Sequence, residues 1–145
     1  MYIERAAEAT DELFTAIQAL VPQLGPGKIP PTRQELSALI NSEASLLLVA
    51  RHPAKDDPIC GMLTLSIYRV PTGIRSIVED LIVDAKSRRL GMAEGLLNHA
   101  ILLAREAGAG NVSLSANPTR EAAHRLYQKL GFTRRDAFAY IIRLK

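Results

Sequence analysis

The stretch Arg88-Arg89-Leu90-Gly91-Met92-Ala93 limits this chain more than any other. Before it, residues 77–84 (Ile-Val-Glu-Asp-Leu-Ile-Val-Asp) make an apolar-rich strand pattern. After it, an amphipathic helix pattern runs to residue 107. A strand that feeds a glycine-bearing turn and then a helix is suited to holding phosphate. The first N–H groups of a helix have no internal partner, and the helix dipole adds partial positive charge there. Gly91 lets backbone approach a ligand closely, Ala93 keeps the surface small, and Arg88 and Arg89 add two cations. The common nucleotide loops are excluded. There is no Gly-x-x-x-x-Gly-Lys-Ser/Thr, and Gly91 with Gly95 does not make Gly-x-Gly-x-x-Gly. On this hexapeptide alone, a basic helix start after a tight turn explains the residues equally well.

At 145 residues the chain is expected to be a single domain over residues 1–145, with enough length for a proper core. One cysteine excludes an internal disulfide framework and fits a reducing compartment. Residues 1–5 lack the apolar core of a secretory signal. No apolar run approaches the roughly 18 residues of a membrane span. A cytoplasmic protein without a membrane partner is the expectation. The net charge of +3 is uneven: residues 86–145 hold 11 Lys/Arg against 4 Asp/Glu, and residues 1–85 hold 7 against 11. The basic half carries the phosphate-type turn, so an anionic ligand is favoured there. Its arginines are scattered among apolar helix positions without an aromatic-and-basic repeat, so no nucleic-acid partner is expected.

Taken in order, residues 2–6 read as a strand and residues 7–20 as a helix, with Leu13, Phe14, Ile17 and Leu20 at helical spacing. Residues 21–31, with four prolines and two glycines, read as a stiff loop. Residues 32–40 return to helix, with Thr32 as N-cap and Glu35 as its capping-box partner. Residues 44–51, 59–70 and 74–84 read as three antiparallel strands, and Gly61 marks a bend or bulge. The long helix follows, then a strand at residues 111–116. Asn117-Pro118 is expected to start the last helix, which Gly131 stops. Residues 132–135 and 138–144 are expected to be final strands. The fold class is α/β in the α+β sense, not doubly wound.

This order of elements resembles the GNAT acetyltransferase superfamily over nearly the whole chain. Arg88-x-x-Gly91-x-Ala93 is similar to its pyrophosphate loop, Arg/Gln-x-x-Gly-x-Gly/Ala, and directly follows the strand ending Leu81-Ile82-Val83-Asp84, where the family places it. Further on, Ala123-x-x-Leu126-Tyr127-x-x-x-Gly131-Phe132 resembles the family's Ala-x-x-Leu-Tyr-x-x-x-Gly-Phe segment. Two motifs in the right order on matching elements are far more specific than either alone. The resemblance implies a GNAT fold: a mixed, mostly antiparallel sheet of seven strands flanked by four helices. One departure stands out. Many members carry Asn seven residues before the Tyr, whereas this chain has Arg120 there and Asn117 nearby.

The resemblance also implies a chemistry: N-acetylation of an amine-bearing, small-molecule acceptor from acetyl-CoA, with CoA as product, through direct attack and a tetrahedral intermediate. A primary ammonium has a pKa of ~10.4, so a base or a depressed pKa is needed at neutral pH. Strand alternation puts Glu79 with Ile77, Leu81 and Val83, and Asp80 with Val78, Ile82 and Asp84 on the other face. Either carboxylate serves as base, or is a satisfied structural carboxylate near a strand edge. The family's oxyanion and pantetheine contacts map to the backbone of Leu81, Ile82 and Val83. Its phosphate contacts map to Arg88, Arg89, Leu90, Gly91, Met92, Ala93 and Glu94, with Asn117, Arg120 and Tyr127 as further cofactor contacts. Thiol and phenol pKa values are ~8.5 and ~10, so Tyr127 can protonate the leaving thiolate. Tyr127 also fits the apolar stripe of its helix, and a core role stays open for it.

Cys60 reads as a buried, inert thiol, and the three histidines make no metal-ligand spacing, so no metal is assigned. The acceptor region of such a fold is bounded here by residues 21–31 and 136–140. Two rivals stay open: an acyl-CoA-binding module without turnover, and a basic nucleic-acid-binding domain. A homodimer formed by joining sheet edges through the final hairpin is also open.

Overall fold

The computed structural model describes residues 1–145. Its backbone groups into two compact units, Met1–Ser115 and Ala116–Lys145. No helix is long and apolar enough to cross a membrane.

The first unit is one five-stranded sheet in the order β1-β2-β3-β4-β5, with helices on both faces. The strands are β1 (Tyr2–Arg5), β2 (Ser45–Arg51), β3 (Ile59–Val70), β4 (Gly73–Val83) and β5 (Val112–Ser113). Neighbours from β1 to β4 are antiparallel, and β5 joins β4 in parallel. The helices are α1 (Asp11–Leu20), α2 (Arg33–Asn41) and α3 (Met92–Glu106).

β2 is the centre of the core. Leu46 through Ala50 are all buried, so its side chains feed both faces. On one face Leu47, Val49, Met62 and Ile82 pack with Leu13, Ile17 and Leu20 of α1 and Leu36 of α2. The cross-strand pairs Leu48↔Leu63, Leu46↔Leu65 and Leu65↔Val78 set the other face. It receives α3, whose Leu96, Leu97, Ala100 and Ala104 are buried. Gly61 lies under that helix. A Cβ there would stand 3.4 Å from Leu96 Cδ1 and 3.3 Å from the Ile82 carbonyl oxygen, so the glycine allows close approach.

The helix starts follow side-chain caps. Thr10 Oγ1 accepts from Leu13 N at 3.1 Å, so α1 begins after Thr10 and not at residue 7. Thr32 and Glu35 form a full capping box, each side chain accepting the other's backbone N–H. Residues 21–24 wind into a short 3-10 turn inside the expected loop. The bulge expected near Gly61 is present: Ala50 pairs with Gly61 but Arg51 pairs with Ile59, leaving Cys60 as the extra residue.

The second unit holds α4 (Glu121–Lys129). Asn117 does not cap it. Asn117 Oδ1 instead accepts from Thr119 N at 3.0 Å and Thr119 Oγ1 at 2.8 Å, and the helix starts only after Arg120. The local turn wins because it occupies the side chain that a cap would need. Gly131 takes φ +98° and ends the helix as expected. Residues 132–135 and 138–144 form no strands, so the sheet has five strands and not seven. A strand exists only against a partner edge, and these segments pair with none. Phe138 and Tyr140 are 88% and 93% exposed.

Removing the Thr32 cap with Thr32→Ala is expected to lower stability by about 1 kcal/mol. The check is the urea midpoint, which should fall while the slope of the transition is unchanged.

Candidate active site

β4 is paired with β3 to its end, whereas β5 reaches only Ser76 and Ile77. From residue 78 onward, therefore, one edge of β4 has no strand beside it. Leu81, Ile82 and Val83 lie on that stretch. The Asp84 N–H bonds to the Cys60 carbonyl of β3, so by alternation Ile82 also turns its backbone to β3. Only Leu81 and Val83 face the open edge. A sheet edge offers N–H and C=O groups that an extended ligand can pair with as an added strand would.

The strand runs into a tight, internally bonded loop. Ser87 N donates to the Asp84 carbonyl at 2.8 Å, and Lys86 N donates to Asp84 Oδ1 at 3.2 Å. Arg88 Nε donates to the Val83 carbonyl at 3.2 Å, so this arginine braces the end of β4. Arg88, Arg89 and Leu90 are exposed. Arg89 has φ +66°, and Gly91 has φ +82° and stands at the N-cap of α3. Gly91 brings no side-chain acceptor to the first turn, and a Cβ built on it would meet nothing within 4 Å. The first-turn N–H groups thus point from an uncluttered helix start. Met92 is different: its side chain is buried, and its sulfur accepts from Cys60 Sγ at 3.0 Å. Only the Met92 backbone faces the loop's task. Ala93 and Glu94 complete the turn, where the Glu94 carboxylate suits the dipole. The Cys60 thiol is pushed up by burial and stays protonated, in keeping with an inert core role.

The two carboxylates of β4 are arranged by a bulge that alternation does not foresee. Met62 pairs with Ile82 and Thr64 pairs with Glu79, so Asp80 and Leu81 together oppose Leu63. The expected parity is therefore wrong. Glu79 shares a face with Thr64, Met62 and Ile82, not with Leu81 and Val83. Asp80 takes φ +50° and leaves the Val78 face. It lines a cavity of about 360 Å³ with Met62, Thr64, Leu36, Leu39 and the Val21–Pro31 region. Asp80 is brought to the cavity; Glu79 is not among its lining residues.

In the second unit Tyr127 is half-buried and packs edge-on to Phe132, with ring centroids 6.0 Å apart. Burial pushes its phenol above the ordinary value, and Arg120 works weakly against that. Arg120 is exposed at the N-cap of α4, and Asn117 is held by its own turn with Thr119.

The sequence profile of the Acetyltransferase (GNAT) family matches residues 13–132. The chain belongs to the GNAT acetyltransferase family. An uncharacterised N-acetyltransferase of Bacillus subtilis (strain 168), YhdJ, is 36% identical to this GNAT protein over 102 residues, covering 69% of this chain and 70% of that one. Among solved structures, a probable acetyltransferase superposes with a TM-score of 0.85 at 23% identity, covering 100% of this chain and 99% of the other. An aminoglycoside acetyltransferase, meta-AAC0020, from an uncultured soil metagenomic sample gives 0.83 at 21% identity over 99% and 96%. These structures share the fold. Family and relatives make the chain an N-acetyltransferase enzyme.

Sequence reasoning placed the loop of this GNAT enzyme on the right elements but missed the bulge and the cavity's inner wall. Leu36, Leu39, Leu47 and Met62 look like ordinary core positions in sequence, and only their convergence marks them. The register shift carries no letter signature beyond an aspartate inside an apolar strand. Asn tolerates a left-handed backbone and Val does not. Asp80→Asn should therefore keep the urea midpoint within the equivalent of about 0.5 kcal/mol, while Asp80→Val should lower stability by about 1–2 kcal/mol.

Proposed function

We propose that this enzyme moves an acetyl group from acetyl-CoA to the primary amine of a small-molecule acceptor, working as one domain over residues 1–145. The observation that carries the reading is the unpaired edge of β4 leading into a glycine-started helix. An edge for amide groups and a helix start for phosphates suit an elongated thioester with a pyrophosphate. The clear space around Gly91 fits such a group. The family match spans residues 13–132 and so runs across both compact units, which supports a single functional domain.

Bound acetyl-CoA supplies the activated acetyl thioester. The protein's share is to hold, orient and move protons. The backbone of Leu81 and Val83 offers hydrogen bonds along the acyl arm, and their N–H groups polarise the carbonyl, while Ile82 is turned to β3. Arg88, Arg89, Leu90, Gly91, Met92, Ala93 and Glu94 frame the phosphates, with Arg89 the freer cation because Arg88 also braces Val83. Asn117 and Arg120 are weaker contacts. The incoming ammonium must lose a proton before nitrogen forms its bond to carbon. Asp80, lining the cavity, takes that proton directly or through water, and Glu79 is the alternative. As the carbon–sulfur bond breaks, Tyr127 gives its hydroxyl proton to the thiolate.

Because burial raises the Tyr127 phenol, its donor form persists to higher pH than an ordinary tyrosine and is lost only as pH rises through that raised value. Tyr127→Phe is expected to lower kcat by about 100-fold and to remove the basic limb of the kcat–pH profile. Thiol release with any accepted amine measures both; unchanged turnover across pH would remove Tyr127 as the acid. CoA at about 100 times its Kd should stabilise the fold by ~2.7 kcal/mol in thermal titration, and NAD should not. The free thiol of Cys60 is compatible with a cytoplasmic location. The exposed apolar segment around Phe138 and Tyr140 is suited to a sheet edge of a second copy, and light scattering of the purified chain is expected to give a dimer.

A further inference from the structure

The cavity in the first unit is lined by twelve residues, nine of them hydrocarbon or thioether. Its walls include Ile17, Val21, Leu36, Leu39 and Met62, with Pro30 and Pro31 beside them. Only Glu35, Thr64 and Asp80 are polar, and no Lys, Arg, His or aromatic residue contributes. One oxygen of the Glu35 carboxylate, Oε1, accepts the Thr32 N–H at 3.0 Å, which ties that side chain to the start of α2. Asp80 is in none of the chain's ion pairs, and with its left-handed backbone it stands on the lining of this cavity, open to solvent. At the same place Ile29 is 86% exposed, an isoleucine left in water beside a rigid Pro-Pro pair.

We infer that this cavity takes a primary monoamine with an apolar alkyl or arylalkyl body, its ammonium set against Asp80 and its hydrocarbon against the isoleucine and leucine walls. The inference rests on the amine-acetylating function proposed above and names its acceptor class. The argument is one of polar balance. A polyamine or aminoglycoside carries many ammonium and hydroxyl groups, and each one buried without a partner is unfavourable. The side chains of this cavity offer the Asp80 carboxylate, a Glu35 carboxylate held through one oxygen at the start of α2, and one hydroxyl. An apolar monoamine needs only one anion, and its body removes Ile29 and the inner wall from water.

The test uses the intact chain and a set of amines: propylamine through hexylamine, 2-phenylethylamine, spermidine and kanamycin. Binding of each amine alone is measured by calorimetry, and turnover with acetyl-CoA by thiol release. The expected result is a kcat/KM that rises about fourfold per methylene until the cavity is full. Hexylamine and 2-phenylethylamine should exceed spermidine and kanamycin by tenfold or more, by analogy with the loss when polar groups are left unpaired, which is on the order of tenfold each. Ile29→Asp sits on an exposed position and is expected to fold normally by its urea midpoint. It should raise KM for hexylamine about tenfold with CoA affinity unchanged.

A flat chain-length series, or a preference for spermidine or kanamycin, overturns the inference and leaves the acetyl-transfer reading standing. So does CoA binding with no amine of the apolar set bound or acetylated. Hexylamine binding that Ile29→Asp weakens, in a chain that does not bind CoA, supports the cavity assignment and overturns the transfer reading instead.

Discussion

The bulge in β4 is the constraint on which the candidate site depends. Before it, Ser76 and Val78 are buried and Val78 pairs with Leu65 on the face that takes α3. After it, Ile82 is buried in the opposite cluster with Met62 and Leu13. A regular strand cannot send both sets inward, because its side chains alternate without exception. Placing Asp80 and Leu81 against the single residue Leu63 lets one strand serve both cores in turn. A non-glycine residue at φ +50° is unfavourable locally, and it persists because paired ladder on either side holds it. The same distortion puts the exposed Asp80 on the lining of the cavity and accompanies the stretch where β5 no longer pairs.

The helix start is held from beneath. Gly61 gives α3 room to approach, and the buried Met92 side chain anchors the first turn against Cys60. With that anchor inside, the loop from Asp84 to Gly91 stays outside, bonded to itself and presenting Arg88, Arg89 and Leu90 to solvent. Rigid support under an exposed loop is what a ligand site at a helix N-terminus needs, since less ordering remains to be done on binding.

At the far edge of the sheet Arg51 plays a related structural part. Its side chain, 14% exposed, reaches Glu4 of β1 at 3.1 Å, Glu12 of α1 at 2.6 Å and the Asp57 carbonyl at 2.9 Å. The pairing pulls the Glu12 carboxyl below its usual range and pushes the guanidinium up. Arg33 of α2 bonds to Asp11 of α1 at 2.7 Å and to the Ala9 carbonyl, joining the two helices. These ties link α1 to β1, β2 and α2 at the surface, while the packing of Leu13, Ile17, Leu20 and Leu36 seats both helices on the sheet.

Local grammar determined much of this protein from sequence alone. The capping box at Thr32 and Glu35, the Gly91 turn with its helix, and the family motifs were all legible, because each is decided within a few residues. Tertiary structure decided the rest. The face of Glu79 depended on a register shift against Leu63, a residue far away in sequence. The cavity depended on Leu36, Leu47 and Met62 meeting from three elements. Asn117 bonds within its own turn to Thr119 and does not cap the helix that its sequence position favours. The pattern at residues 138–144 is strand-like, yet it forms no strand within the chain. A helix carries its hydrogen bonds with it, whereas a strand and a pocket exist only in relation to what stands beside them.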